Sequence, residues 1–469
     1  MPHPPSVSFV SLGCPKNLVD SEKMLGLLAE AGCPIVSADA AEADGVVINT
    51  CGFLSAAREE AVEVIRDAVA QKRRGRVRRV VVAGCLVQRD GEELLRLVPG
   101  IDALVGVHQR EDVVRAVMEP PGPAPRARKA RPPVSLFLGD YHPASWTGDN
   151  RSDQARLRLT PTHYAYVRMS EGCNQKCTFC TIPSIRGPMH SKPLAEILDE
   201  ARELIDDGAV ELILIGQDTT SYGRDVGYDA GLAGLLRELN RLGGVEWVRL
   251  MYAYPADFTD EMIDAIADCD RVVKYVDLPL QHINDRVLKA MHRRVTRRET
   301  EALLDRLRRR IPGVHIRTTF IAGFPGETDA ECDELRRFIA DFGFEAVGVF
   351  PYSHEPGTPA ARMKHQTPPE IISARVDQLM RAQQEVAFRR AAARQGERLR
   401  VLVDGPDDDG GVIARHAGQA PEVDSVVFVQ ADDLTPGSFA DVRCTGSRGY
   451  DLLARPAATS LPAVNSSRI

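Results

Sequence analysis

The chain has 469 residues, 43% of them apolar, and a net charge of −7 at neutral pH. That length exceeds what one hydrophobic core organises and predicts about two to four domains, while the acidic balance excludes a surface coated uniformly for nucleic acid. No stretch approaches the roughly 18 uninterrupted apolar residues of a membrane span, and the start lacks a secretion-signal pattern, so a cytoplasmic protein with no membrane partner is expected.

The first segment alternates valine-rich runs with amphipathic helices. "VSFVSLGC" ends at Cys14, "DGVVINTC" at Cys51 and "VRRVVVAGC" at Cys85. Between the first two, "SEKMLGLLAEAG" reads as a helix capped by Ser21, with Met24, Leu25 and Leu28 on one face and Gly32 as its stop. Buried parallel strands alternating with helices predict an open α/β sheet. Residues 119–133, "EPPGPAPRARKARPP", read as a stiff basic linker and the first domain boundary. From about residue 160 six further strands are expected: "YAYVRMS", "VELILIG", "EWVRLMY", "VVKYVDL", "VHIRTTFIAG" and "AVGVFPY". Separated by helices such as "PLAEILDEARELIDDG", they suit a partial (βα)6 barrel of the TIM type, whose chemistry sits at the C-terminal strand ends. After a long polar helix near 370–394, five short strands divided by Gly, Pro and Asp turns predict a small antiparallel β-barrel, followed by a tail.

Ten cysteines spread through a long chain without a secretion signal are expected to be reduced, and clusters of them point to metal or catalysis. "EGCNQKCTFCTIP" places Cys173, Cys177 and Cys180 directly after the first strand of the second series and offers no fourth thiol. Closely spaced Cys in such a loop can reach three corners of one iron-sulfur cube. A structural zinc loop is the alternative, but no matching second pair of ligands follows nearby. The CxxxCxxC spacing, with an aromatic before the last Cys at the head of a six-unit barrel, resembles the radical S-adenosylmethionine superfamily. The resemblance implies a 4Fe-4S cluster whose open iron chelates the methionine portion of S-adenosylmethionine, and whose reduction releases a 5′-deoxyadenosyl radical. By position, Gln217 and Asp218 after the second strand and Gly323 and Gly326 after the fifth are expected near the cofactor. A tight βα turn is the other reading of the two glycines. Tyr252, Gln281, His282 and "PYSHEPGTPAARM" at other strand ends are candidates for lining the cavity, against ordinary packing roles, and no catalytic residue is assigned.

Cys14, Cys51 and Cys85 each follow an apolar run, and parallel strands end on one edge of their sheet, so thiols 37 and 34 positions apart can meet there. Buried free cysteines are the bland reading. The arrangement is similar to the methylthiotransferase branch of the superfamily, which joins a three-Cys N-terminal domain to a radical barrel and a TRAM barrel. That resemblance implies two 4Fe-4S clusters, one on Cys14, Cys51 and Cys85 and one on Cys173, Cys177 and Cys180. Cys33, Cys269, Cys332 and Cys444 match no ligand position and are expected in packing or at the surface. The domains are expected at 6–118 (second cluster), 119–158 (linker and lead-in), 159–391 (radical core), 392–458 (TRAM) and 459–469 (tail).

Long stretches resemble the protein-modifying members of that branch: "SLGCPKNLVDSE" rather than a "GCQMN"-type start, "QDTTSYG" rather than "QNVNSYG", and "KYVDLPLQHINDRVLKAMHRR". They imply conversion of an aspartate of a small-subunit ribosomal protein, protein twelve, to 3-methylthioaspartate; a tRNA adenosine methylthiotransferase and a zinc-stabilised binding module are the competing readings. A β-hydrogen of aspartate is too weakly acidic for a side-chain base alone, which suits radical chemistry. Residues 397–455 hold eleven acidic and six basic side chains, a net of −5. A barrel gripping tRNA phosphates should be basic, whereas an acidic one suits a basic ribosomal protein, free or in the subunit. "QKRRGRVRR" and "PRARKARPP" fit a ribosomal RNA contact or plain solvation, and a reductant protein is a further expected partner.

Overall fold

The computed structural model describes residues 3–36, 43–119, 134–139, 152–431 and 433–457. The basic "PRARKARPP" stretch and the tail at 459–469 lie outside the described residues.

Five parallel strands form the first sheet in sequence order: β1 (Val7–Ser11), β2 (Gly45–Thr50), β3 (Arg79–Gly84), β4 (Ala103–Val105) and β5 (Ser135–Phe137). Side chains alternate across a strand. Thus Val46, Ile48, Val80 and Val82 pack on helices α2 (Ser55–Arg73) and α3 (Cys85–Leu97), while Val47, Val81 and Ala83 pack on α1 (Pro15–Glu30) and α4 (Val113–Met118). Two strands escape the sequence reading because each is three residues long, and β5 draws part of the expected linker and lead-in, 119–158, into this sheet.

Helix α1 starts six residues before Ser21. Pro15 occupies its first turn, where a missing N–H costs nothing, and Cys14 sits at the N-cap position. Ser21 is instead buried within the helix, donating to the carbonyl of Asn17 at 3.1 Å and accepting from Asn49 Nδ2 at 2.8 Å. The polar run Lys16, Asn17 and Asp20 is helical because a second domain covers it.

That domain is a six-stranded parallel sheet in the order β13-β12-β11-β10-β9-β6, curved into a partial barrel. Its strands are β6 (Tyr164–Arg168), β9 (Glu211–Ile215), β10 (Trp247–Leu250), β11 (Val272–Asp277), β12 (His315–Ala322) and β13 (Ala346–Pro351), with a short hairpin of β7 (Ser170–Glu171) and β8 (His190–Ser191) after β6. The hairpin encloses α5 (Ile182–Arg186); the outer helices are α6 (Leu194–Asp206), α7 (Gly231–Asn240), α8 (Asp260–Asp268), α9 (Asp285–Ala290), α10 (Arg297–Arg310), α11 (Asp329–Phe342) and the long α12 (Pro369–Ala393). Reciprocal capping boxes fix two starts, Thr296 with Glu299 at α10 and Thr328 with Glu331 at α11.

The last unit is a closed barrel of β14 (Arg398–Pro406), β15 (Val412–His416), β16 (Val427–Val429), β18 (Asp451–Pro456) and β17 (Phe439–Arg448), in that order. It is antiparallel as expected except between β16 and β18, which run parallel. Five strands in a ring cannot alternate direction throughout, so one parallel pair is unavoidable.

This small barrel floors the large one. At the N-terminal strand ends Arg415 and Arg249 both grip Glu211, at 2.8 and 2.7 Å, Tyr164 donates to Glu422 at 2.9 Å and Tyr275 donates to Asp424 at 2.8 Å. Part of the small barrel's acidic excess is therefore consumed at an internal interface. The opposite, C-terminal end of the strands receives α1. No helix among the described residues is long and apolar enough to cross a membrane.

Candidate active site

The first three strands deliver Cys14, Cys51 and Cys85 to one edge, because Ser11 pairs with Asn49 and Thr50 with Gly84 in register. Their loops nest at backbone contact. Gly13 has φ +100°, and a side chain there would bring its Cβ to 2.7 Å from Cys51 Cβ; one at Gly52 would come to 2.7 Å from the carbonyl of Cys85. Cys14 and Cys51 are half-buried and Cys85 is buried. Burial pushes the Cys85 thiol up to about 12 against the pull of Arg186, and the neighbouring Cys14 and Cys51 add to the rise. Such thiols lose their protons when a metal supplies the compensating charge.

The second triad lies in the loop from β7 to α5. Cys173 N–H donates to Gly187 O at 3.2 Å, Gln175 N–H to Cys173 Sγ at 3.4 Å and Ile182 N–H to Cys180 Sγ at 3.4 Å. Arg293, stacked 4.2 Å over the Tyr254 ring, points Nη1 at Cys177 Sγ, 3.6 Å away. Burial raises the Cys173 thiol to about 11 and the Cys180 thiol to about 12. Among the described residues no three His, Cys, Asp or Glu side chains close on one point tightly enough for a single metal ion.

A buried ionic layer joins the triads. Arg186, at the end of α5, donates from Nε to Cys85 Sγ at 3.3 Å, from Nη1 to Glu171 at 2.8 Å and from Nη2 to Asp20 at 2.9 Å. Arg168 reaches Asp20 at 2.6 Å and Glu171 at 2.8 Å, and Lys192 spans Asp153 at 2.5 Å and Glu200 at 2.6 Å. Arg110 joins from the first domain through Asp153 at 2.6 Å. Asp153 comes from the end of the expected lead-in and is wholly buried. Burial pushes the Glu171 carboxyl up; the Arg186 and Arg168 guanidiniums and the Gln217 amide override it and hold it below the usual carboxylate range.

Gln217 and Asp218 both stand beside the Cys173 loop. Gln217 Nε2 donates to Glu171 at 2.7 Å and its buried Oε1 has no protein partner; Asp218 accepts from Gln175 at 2.8 Å, Thr220 at 2.7 Å and Ser221 at 2.8 Å. Gly323 and Gly326 form a turn at φ +77° and +76°, and Phe324 between them packs in one apolar cluster with Phe179 of that loop. A Cβ on Gly323 would lie 2.4 Å from Ile372 of α12, and its N–H is taken by Glu327 at 2.5 Å. Tyr252 and Gln281 hold left-handed backbone, φ +60° and +75°, at strand ends, a conformation that costs non-glycine residues about 1–3 kcal/mol and clusters at functional sites. His282 is buried with Nε2 unpartnered. In "PYSHEPGTPAARM", Glu355 ties Ser55 and Arg89 of the first domain, each at 2.8 Å. A cavity of about 790 Å³ opens beside it between Ser55, Tyr352, His354 and Ile372. Cys33, Cys269, Cys332 and Cys444 are buried in apolar clusters.

Sequence reasoning missed Lys16, Arg186, Glu171 and Arg293. Glu171 and Arg186 flank the triad in "SEGC" and "IRGP", and charges beside a metal-binding loop were the available signal.

Residues 167–339 match the Radical SAM superfamily, residues 6–106 the Uncharacterized protein family UPF0004 and residues 396–456 the TRAM domain. The solved radical S-adenosylmethionine methyltransferase TsrM from Kitasatospora setae has a similar fold, with a TM-score of 0.53 and 18% identity over 85% of this chain and 79% of that one. The ribosomal protein uS12 methylthiotransferase RimO of Anaeromyxobacter sp. (strain K) is 43% identical over 95% of this chain and 92% of its own. RimO of Symbiobacterium thermophilum is 43% identical over 96% and 90%, and RimO of Geobacter sulfurreducens 40% identical over 95% and 97%. By identity at this level along nearly its whole length, the chain belongs to the RimO family of radical S-adenosylmethionine methylthiotransferases.

Proposed function

We propose that this enzyme methylthiolates the β-carbon of an aspartate in ribosomal protein uS12, giving 3-methylthioaspartate, and that each cysteine triad holds one 4Fe-4S cluster. The observation that carries the reading is the meeting of the two triads through Arg186, which bonds Cys85 and shares Glu171 with the Cys173 loop. The donor sets fit. Each offers three thiols, and buried unpartnered atoms, Gln217 Oε1, His282 Nε2 and Tyr254 Oη, lie on the surrounding strand ends.

When bound, the cluster on Cys173, Cys177 and Cys180 with S-adenosylmethionine supplies one-electron chemistry able to take hydrogen from an unactivated carbon, and the cluster on Cys14, Cys51 and Cys85 supplies the sulfur-bearing position. The chain's own residues prepare the space. Arg168, Arg186, Glu171 and Asp20 seal the seam between the domains with a fully paired layer, which excludes water without leaving a bare charge. Backbone N–H groups and Arg293 donate to the sulfurs of Cys173, Cys180 and Cys177, and such donors tune a cluster's potential. Gln217 and Asp218 contact the cofactor, with Gly323 and Gly326 shaping the turn beyond. A basic ribosomal protein, free or in the subunit, and a reductant protein are the partners, with ribosomal RNA touching the exposed side of the "QKRRGRVRR" helix end. The working domains are 6–118 together with β5, 159–391 and 392–458.

Mass spectrometry of ribosomal proteins from a strain lacking the gene tests the reading. Loss of one methylthio group from uS12 is expected; an unchanged uS12 mass would overturn it.

A further inference from the structure

Lys16 sits in the first turn of α1, two residues after Cys14, and its side chain leaves the first domain for the mouth of the large barrel. It is 6% exposed. Its ammonium donates to Gly216 O at 3.2 Å, just past the end of β9, and rests 3.2 Å from the centroid of the Tyr252 ring. Tyr252 is held beneath it by left-handed backbone and by an N–H bond to Asp277 at 3.0 Å.

An ammonium carries three donors, and a charge removed from water is costly unless paired. Lys16 spends one donor on a neutral carbonyl, and among the described residues no carboxylate pairs with it. Its acidic neighbours are committed elsewhere: Glu171 to Arg168, Arg186 and Gln217, and Asp277 to Arg317 and the Tyr252 N–H. In the adjoining ionic layer Arg110, Arg168, Arg186 and Lys192 each hold at least one carboxylate. Among the described residues Lys16 lacks one, as does Arg293, whose donors go to Cys177 Sγ and the Pro279 carbonyl. Lys16 also stands between the triads, with Cys14 on one side and Gly216, Gln217 and Glu171 leading to Cys173 on the other.

We propose that Lys16 takes the side-chain carboxylate of the substrate aspartate and so fixes the β-carbon in the space between the two triads. The assignment rests on the reading of a ribosomal-protein aspartate as substrate. A γ-carboxylate brings the carboxylate partner that the described residues do not give Lys16 and accepts the two donors left open beside the Gly216 carbonyl. Its β-carbon is one bond from the gripped group. A neutral amide or a nucleobase brings no charge, so the same contact selects against both.

The test uses anaerobically reconstituted holoenzyme with purified uS12 and with uS12 carrying asparagine in place of the modified aspartate. Lys16→Met keeps the apolar length over Tyr252. It is expected to weaken uS12 binding about 10- to 100-fold, the range for a hydrogen bond to a charged group. The asparagine form, already weak with wild-type enzyme, is bound equally by both, iron per chain is unchanged, and Lys16→Arg retains more affinity than Lys16→Met. Equal affinity of wild type and Lys16→Met for uS12, or equal losses for the aspartate and asparagine forms, overturns the proposal. Loss of iron assigns Lys16 to the Cys14 site and overturns it as well. Wild-type enzyme that neither binds nor modifies uS12 removes the substrate reading itself, and the proposal falls with it.

Discussion

Arg186 Nε and Cys85 Sγ are 3.3 Å apart although 101 residues separate them in the chain. One guanidinium from the CxxxCxxC side therefore binds a thiol of the other triad, and its remaining donors hold Glu171, Asp20 and Asn17. The domain seam is built from charge, and its strength depends on complete pairing.

Arg186→Met is accordingly expected to destabilise the chain by about 1.5–3 kcal/mol, because Asp20 and Glu171 each lose one buried charged partner while keeping Arg168. Arg186→Lys keeps one charge but loses the planar fork, and should fall between. Urea denaturation of the iron-free chain measures both. A Met variant within about 1 kcal/mol of wild type would show that the layer is not a paired whole.

The two triads should be separable by iron. Cys14→Ala and Cys173→Ala are each expected to retain about half the wild-type iron after reconstitution, since each removes a ligand from one cluster only. Cys14→Ala should still cleave S-adenosylmethionine while failing to transfer a methylthio group; Cys173→Ala should do neither. Equal loss of both activities in Cys14→Ala would remove the division of labour between the sites.

The six strands of the large barrel and the five of the small one were legible because they are short runs rich in apolar residues and bounded by turn residues. The three cysteines at strand ends were legible for the same reason: parallel strands bring their ends together whatever lies between. The ionic layer was not. Asp20 in α1, Asp153 beyond the linker and Arg168 in β6 each look like ordinary solvated charges, and only tertiary closure buries them. Lys16 was hidden likewise, since nothing in "PKNLVD" shows that the barrel mouth covers it. Short strands such as β4 and β5 carry too few residues for a period to show.

Gly13 offers a test of how closely the strand-end loops must nest. Gly13→Ala places a methyl 2.7 Å from Cys51 Cβ and forces φ +100° on a residue that disfavours it. The first sheet has its own cores on both faces and should remain folded by circular dichroism, while the iron at the Cys14 site falls and the iron at the Cys173 site is retained. Iron content equal to wild type would mean that the loops tolerate a wider spacing than their contact implies.

Stability should also fall on mild acidification through two buried histidines. Burial pushes the His282 imidazole down to about 4, and its Nδ1 accepts the Asn284 N–H at 3.0 Å, a bond available only to the neutral ring. Burial, with Arg394 and Arg390 nearby, pushes His315 down to about 3. An unfolded histidine titrates near about 6.5, so between that value and the folded one the unfolded chain binds the proton more readily. The contribution of each is complete above about pH 6.5 and is lost as pH falls towards the folded value, at up to about 1.4 kcal/mol per pH unit. Glu171, held low by its arginines, contributes in the same direction only below the ordinary carboxylate range, outside this window. Urea midpoints of the iron-free chain measured from about pH 7 to about pH 5 should therefore drop for wild type and drop less for His282→Asn, with His315→Asn behaving alike. An equally steep fall in both variants would place the acid-sensitive protons elsewhere.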